Sequence, residues 1–73
     1  MKKTFKMQDL DCANCAAKME TAINKIEGVS EASINFMAQK LTIDADDGRF
    51  DEIMLEAVKA CKKVESGCEI ILN

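Results

Sequence analysis

Two cysteines stand three residues apart in the stretch Leu10-Asp11-Cys12-Ala13-Asn14-Cys15, with an aspartate directly before the first. Sulfurs at this spacing can exchange disulfides, staple a zinc ion, ligate an iron–sulfur cluster, or carry a metal on an open loop. The other two cysteines, Cys61 and Cys68, do not form a second pair of that spacing. A closed zinc site takes about four ligands, usually as two such pairs, and Cys61 and Cys68 fall at apolar positions of their segments. The pattern therefore reads as an open site of two or three ligands. A divalent zinc or cadmium ion gains from a hard anionic oxygen beside two thiolates, whereas copper(I) is satisfied by two soft sulfurs. Asp11 is then either a third ligand or simply the cap of a following helix.

The elements that must hold this loop follow from hydrophobic periodicity. Phe5 and Met7 alternate with Thr4, Lys6 and Gln8, which predicts a half-buried strand over residues 4–10. Ala16, Met19, Ile23 and Ile26 recur at spacings of three and four, which predicts a helix over residues 13–27, ended by Gly28. The alternation of Ala32, Ile34 and Phe36, and then of Leu41, Ile43 and Ala45, predicts strands over residues 29–36 and 40–45. The short connection Met37-Ala38-Gln39 makes these strands an antiparallel hairpin. A polar linker leads to a second helix, with Asp51 as its expected cap and Ile53, Met54, Ala57, Val58, Cys61 and Val64 as its apolar stripe. A last strand over residues 68–72 turns Cys68, Ile70 and Leu72 inward.

The order βαββαβ predicts an α+β, ferredoxin-like sandwich: an antiparallel four-stranded sheet with two helices on one face. Its open face would carry Thr4, Lys6, Gln8, Ser33, Asn35, Lys40, Thr42, Asp44 and Glu69, polar as a one-sided sheet requires, with Ile71 the one exception. In that topology Cys12 lies in the loop after the first strand and Cys15 in the first helical turn. Unpaired N–H groups and partial positive charge there favour a thiolate.

At 73 residues the chain is one small domain, residues 1–73, with one modest core. Its formal net charge of −3 argues against a nucleic-acid binder. No apolar run reaches the roughly 18 residues of a membrane span. Nothing in residues 1–7 resembles the apolar core of a signal peptide. The expectation is a cytoplasmic monomer that meets a membrane only through a parent transporter and has no catalytic machinery of its own.

LDCANCAAKMETAINKIEGV, from Leu10 to Val29, and SEASINFMAQKLTID, from Ser30 to Asp44, together resemble the heavy-metal-associated domain. That family occurs in metal-transporting P-type ATPases and in small metallochaperones, and the resemblance runs over essentially the whole chain. Its copper(I) members typically carry Gly-Met-x-Cys-x-x-Cys. Here Asp9 and Leu10 stand at the first two positions, and Leu10 can take the methionine's buried role. Asp11 resembles the zinc/cadmium/lead branch, where an aspartate before the first cysteine can serve as a ligand. The resemblance implies one Zn2+, Cd2+ or Pb2+ ion per domain (Cu+ as the alternative), held by Cys12, Cys15 and Asp11. The ion would be exchanged with a donor or acceptor domain of a P-type ATPase or a metallochaperone. A free-standing copper(I) chaperone and a small thiol-disulfide oxidoreductase stand as alternatives, although the chain has no proline to face a redox disulfide.

Other residues complete the expected surroundings. Leu10 anchors the loop, Asn14 helps shape it, and Met37 at the hairpin bend lies on the apolar rim. Lys62 and Lys63 either form a solvated helix end or offset the charge of the thiolates. Met7, Met19 and Met54 lie in apolar phase and are core residues. Cys61 and Cys68 flank a connection on the metal side of the sheet, as core thiols or as a metal or regulatory pair.

Overall fold

A computed structural model describes residues 1–72. Strand Lys2–Gln8 (β1) leads to helix Ala13–Asn24 (α1), then strands Val29–Asn35 (β2) and Lys40–Ala45 (β3), helix Phe50–Val64 (α2) and strand Glu69–Ile71 (β4). The four strands form one antiparallel sheet in the order β2-β3-β1-β4. The βαββαβ order and the one-sided sheet are those predicted from periodicity. No helix of the described residues is long and apolar enough to cross a membrane.

Both helices cover the sheet face that carries Phe5, Met7, Ala32, Leu41, Ile43, Ala45 and Ile70, all of them buried. The opposite face is polar, and across it Thr4 and Thr42 bring their hydroxyl oxygens to 3.1 Å. Helix α1 buries Ala16, Met19 and Ile23. Helix α2 buries Ile53, Met54, Ala57 and Cys61, together with Phe50, whose ring centroid lies 6.3 Å from that of Phe5. Phe50 extends the stripe one turn towards the N-terminus, beyond the pattern read from Ile53 onward. The Lys3 ammonium lies over the Phe50 ring, 5.7 Å from its centroid, in a cation–π contact.

The boundaries differ from the periodicity in places with identifiable causes. Helix α1 stops at Asn24, short of residue 27, and its last turn tightens as Lys25 N–H reaches Ala22 O at 3.2 Å. Gly28 therefore does not cap the helix directly. It adopts a φ of 97° after an intervening turn, and a Cβ there would stand 2.7 Å from Ile53 Cδ1. Glycine is required both by that backbone conformation and by the close approach of α2.

Asp51 is not the cap of α2. The chain enters through a 3₁₀ turn, Asp47–Arg49, whose cap is Asp46, with Oδ1 accepting Gly48 N–H at 3.0 Å. The helix thus begins at Phe50, and Asp51 and Glu52 lie in its first turn, where negative charge suits the dipole. Strand β4 is shorter than expected, and Leu72 is 49% exposed where alternation had placed it inward. The ladder with β1 ends at the pair Lys6–Ile71, so no strand pairing holds Leu72 to the inner face.

Candidate metal centre

The loop that follows β1 is built by one backbone reversal. Asp9 takes φ 61°, in the left-handed region that aspartate tolerates better than most residues. The reversal turns Leu10 inward, where it is only 2% exposed. Burying a leucine contributes about 1.5–3 kcal/mol, so Leu10 is a real anchor for a loop of otherwise exposed residues. The loop is also tied to the β2–β3 turn. Gln39 Oε1 accepts Leu10 N–H at 3.1 Å, and Gln39 Nε2 donates to Leu10 O at 2.6 Å.

Cys12 is the N-cap of α1, with extended backbone angles, and its sulfur accepts the backbone N–H of Cys15 at 3.3 Å. The thiol thus stands where serine or aspartate usually satisfies the first orphan N–H groups of a helix. Cys15 lies in the first turn, half-buried and packed against the core. The Cys15 thiol holds Cys12 below its ordinary pKa, assisted by the backbone N–H groups of Cys15 and Asn14 and by the charge of Lys18. Cys15 is pushed up by its neighbour Cys12, by desolvation and by Glu65, with Lys18 opposing. A first thiolate therefore forms at Cys12, stabilised by N–H groups and a cation, and the second proton leaves more readily once a cation is bound.

Asp11 is exposed and lies outside the helix. Cys12 occupies the cap, so Asp11 is not the cap of α1. Among the described residues, no three His, Cys, Asp or Glu side chains are gathered in a ready metal-holding group. The Cys12 and Cys15 thiols interact with each other, and among the described residues no carboxylate is gathered with them. Two thiolates fill two positions of a tetrahedral ion and leave the rest for a carboxylate, water or a ligand from another molecule. The site is an exposed loop. A groove between the helices, lined by Ala22, Ile26, Glu27, Arg49 and Glu56, contains none of these residues.

The remaining expected residues are placed as follows. Asn14 is exposed and contributes its backbone N–H towards Cys12. Met37 lies in the β2–β3 turn, 89% exposed. Lys62 reaches Glu69 at 3.9 Å, and its charge opposes the upward shift of Cys68. Lys63 lines a groove beside α1 with Ala22 and Ile26. The lysine whose charge acts on both loop thiols is Lys18, one turn beyond Cys15 on the same helix. Its spacing of i+3 from Cys15 was the available signal, masked by its membership of a solvated helix face. Gln39 was also missed, because a turn residue gives no sequence sign of a bond across 29 positions.

Cys61 and Cys68 are 1% and 0% exposed and belong to the core. Burial, and then the charge of Cys68, pushes the Cys61 thiol up to about 12. Burial also raises Cys68, assisted by Glu65, Asp9 and Asp11. Thiols held protonated in this way are poor ligands and poor nucleophiles, so the packing reading fits both.

Comparison with known proteins agrees with this geometry. The pattern of the heavy-metal-associated domain matches residues 4–66. The cadmium, zinc and cobalt-transporting ATPase of Bacillus subtilis (strain 168) is 36% identical over 66 residues, which are 90% of this chain and 9% of that protein. The zinc/cadmium/lead-transporting P-type ATPase of Escherichia coli (strain K12) is 39% identical over 44 residues, 60% of this chain and 6% of its own length. The chain thus spans less than a tenth of these relatives. Among solved structures, the Cu(I)-loaded N-terminal domain of a potential copper-translocating P-type ATPase from Bacillus subtilis superposes with a TM-score of 0.73 at 28% identity. That alignment covers 94% of this chain and 81% of that one. The match over residues 4–66, on a βαββαβ sandwich with CxxC at its first strand-to-helix loop, places the chain in the heavy-metal-associated domain family.

Proposed function

We propose that this domain takes up one soft divalent ion, zinc, cadmium or lead, on Cys12 and Cys15, with Asp11 turning in as a third ligand. It passes the ion on by ligand exchange, as a cytosolic metal-binding domain at the N-terminus of a metal-transporting P-type ATPase. The observation that carries the reading is the half-buried thiol pair at the start of α1, where the Cys12 sulfur accepts the Cys15 N–H and the charge of Lys18 favours its thiolate. An aspartate free of capping duty supports a divalent cargo, since a hard oxygen adds little to copper(I). Relatives that transport cadmium and zinc support it as well. Incomplete coordination by the domain leaves a position for the recipient's ligand, so the ion moves without ever being free in water.

A free-standing copper(I) chaperone is the second reading, favoured by the likeness to a Cu(I)-loaded domain. Competition titrations with zinc, cadmium and copper(I) against chelators of known affinity decide between the two. The proposal expects Asp11→Ala to weaken zinc and cadmium binding and leave copper(I) unchanged. It expects Cys12→Ser with Cys15→Ser to abolish tight binding of all three. Zinc and cadmium binding untouched by Asp11→Ala overturns the third ligand, and tight zinc binding in the double serine variant overturns the site.

A further inference from the structure

The only two non-glycine residues with positive φ among those described, Asp9 at 61° and Gln39 at 55°, lie on two segments that bond to each other. Asp9 belongs to the metal loop, and Gln39 closes the turn between β2 and β3. The Gln39 side chain clasps the Leu10 backbone on both sides of its Cα: Leu10 N–H to Oε1 at 3.1 Å, and Nε2 to Leu10 O at 2.6 Å. The second Nε2 hydrogen reaches Phe36 O at 3.0 Å, within the turn itself. The Gln39 backbone carbonyl accepts Met7 N–H at 2.8 Å, so both ends of the residue hold the exit of β1. A glutamine kept in the left-handed region is disfavoured unless its surroundings over-determine it, and here five hydrogen bonds do so, the fifth from Gln39 N–H to Phe36 O at 3.4 Å.

We infer that Gln39 is a positioning residue for the metal loop: its amide fixes the backbone of Leu10 and thereby the placement of Asp11 and Cys12, the next two residues. The inference rests on the metal-carrier reading above and adds to it a support from outside the loop, on the hairpin. Leu10 has two restraints, a buried side chain and a clasped backbone. The side chain alone fixes depth, whereas bonds to the N–H of the peptide before Leu10 and the C=O of the peptide after it also restrain the backbone angles of Leu10 between them. Those angles set the direction in which residues 11 and 12 leave the core. The clasp thus keeps the Cys12 sulfur over the start of α1 before an ion arrives, and removing it trades a prepared site for one that must order itself on binding.

The test uses the whole chain with Gln39→Gly and Gln39→Glu. Glycine removes the amide and relieves the left-handed strain, so the fold is retained. Glutamate keeps an acceptor for Leu10 N–H but sets a carboxylate against the Leu10 and Phe36 carbonyls. Two readouts are taken: amide hydrogen exchange of Leu10 in the metal-free protein, and cadmium affinity with its thiolate-to-metal absorption band. Loss of a supporting hydrogen bond around a metal ligand typically weakens binding roughly 10- to 100-fold. The expected result is faster Leu10 exchange in both variants and about a tenfold loss of cadmium affinity for Gln39→Gly, at the lower end of that range. Gln39→Glu should lose more, and the absorption band should change in both while thermal stability does not fall in step. Unchanged Leu10 exchange overturns the clasp, and faster exchange with unchanged cadmium affinity and band overturns the positioning role. Failure of the underlying reading looks different: the unmodified chain itself would then bind cadmium no better than the double serine variant at Cys12 and Cys15, which overturns both.

Discussion

The sulfur of Cys12 accepts the backbone N–H of Cys15 at 3.3 Å, so one candidate ligand is also the cap of the helix that carries the other. Folding and metal capture share an atom. Serine at Cys12 supplies a good cap without a thiolate, whereas alanine supplies neither. Cys12→Ser should therefore leave stability within a few tenths of a kcal/mol and Cys12→Ala lower it by about 1 kcal/mol, while both abolish tight zinc and cadmium binding. For a domain of this size that difference is about 4–8 °C in Tm. Thermal melts of the metal-free variants, set beside metal titrations, separate the two roles of the sulfur. Equal Tm values for Ser and Ala would show that the cap contributes nothing.

The four cysteines divide into two chemical classes. Cys12 and Cys15 are half-buried on the loop, whereas Cys61 and Cys68 are core residues with raised pKa values. Alkylation of the native chain near neutral pH should label Cys12 first and Cys15 next, and leave Cys61 and Cys68 unmodified until urea unfolds the domain. Mass spectrometry of digested samples reads this directly. Early labelling of Cys61 would contradict its burial.

The same thiols set a pH dependence on the alkaline side. Cys61 ionises at about 12 in the folded chain, against an ordinary value of 9.0 in the unfolded one. Above the lower value the unfolded state has released this proton and the folded state has not, so stability falls with rising pH. The contribution is complete below pH 9 and is lost progressively towards pH 12, in the same direction as that of Cys68. Urea midpoints at pH 8 and pH 10 should fall on the alkaline side, and Cys61→Ala should flatten the slope while lowering the midpoint at both.

Lys18 supplies a smaller effect at the site itself. Its charge favours both loop thiolates from an exposed position. Exposed charge interactions are weak and screened by salt, so Lys18→Gln should slow alkylation of Cys12 modestly at neutral pH and low salt. Added salt should erase the difference. A persistent difference in 1 M salt would point to a packing role for the lysine stem.

The architecture and the thiol pair were legible in the sequence because both are local patterns: alternation of period 2, stripes at three and four, and CxxC at the junction of the two periods. What escaped was the set of contacts made by single polar side chains over long separations. Gln39 in a turn, Lys18 on a wet helix face and Asn24 at a helix end resemble ordinary surface residues when read singly. Their roles arise only when the sheet brings the hairpin beside the loop and lays α1 along β2. Phe50 was missed for a related reason, since it follows a 3₁₀ turn that reads in the sequence as part of a polar linker.

Asn24 shows what such a side chain does for the fold. Its Oδ1 accepts Ala32 N–H and its Nδ2 donates to Ala32 O, both at 2.9 Å, so the amide pairs with edge strand β2 as a neighbouring strand would. Glu20 continues the row, with Oε2 accepting Ile34 N–H at 2.8 Å. Together they occupy outward backbone groups that an unprotected edge would offer to another chain. Asn24→Ala removes both bonds to Ala32 and should lower stability by about 1–3 kcal/mol. Asn24→Asp keeps the acceptor but turns a carboxylate towards the Ala32 and Glu20 carbonyls that Nδ2 had served, so it should fall further at neutral pH and recover part of the loss in acid, where a protonated carboxyl donates again. Chemical denaturation of the three proteins at neutral and acid pH tests the order. Light scattering on partly destabilised samples tests the edge, where the double variant Asn24→Ala with Glu20→Ala should associate and the parent chain should not. If the variants match the parent in both measurements, the row of side chains along β2 protects nothing.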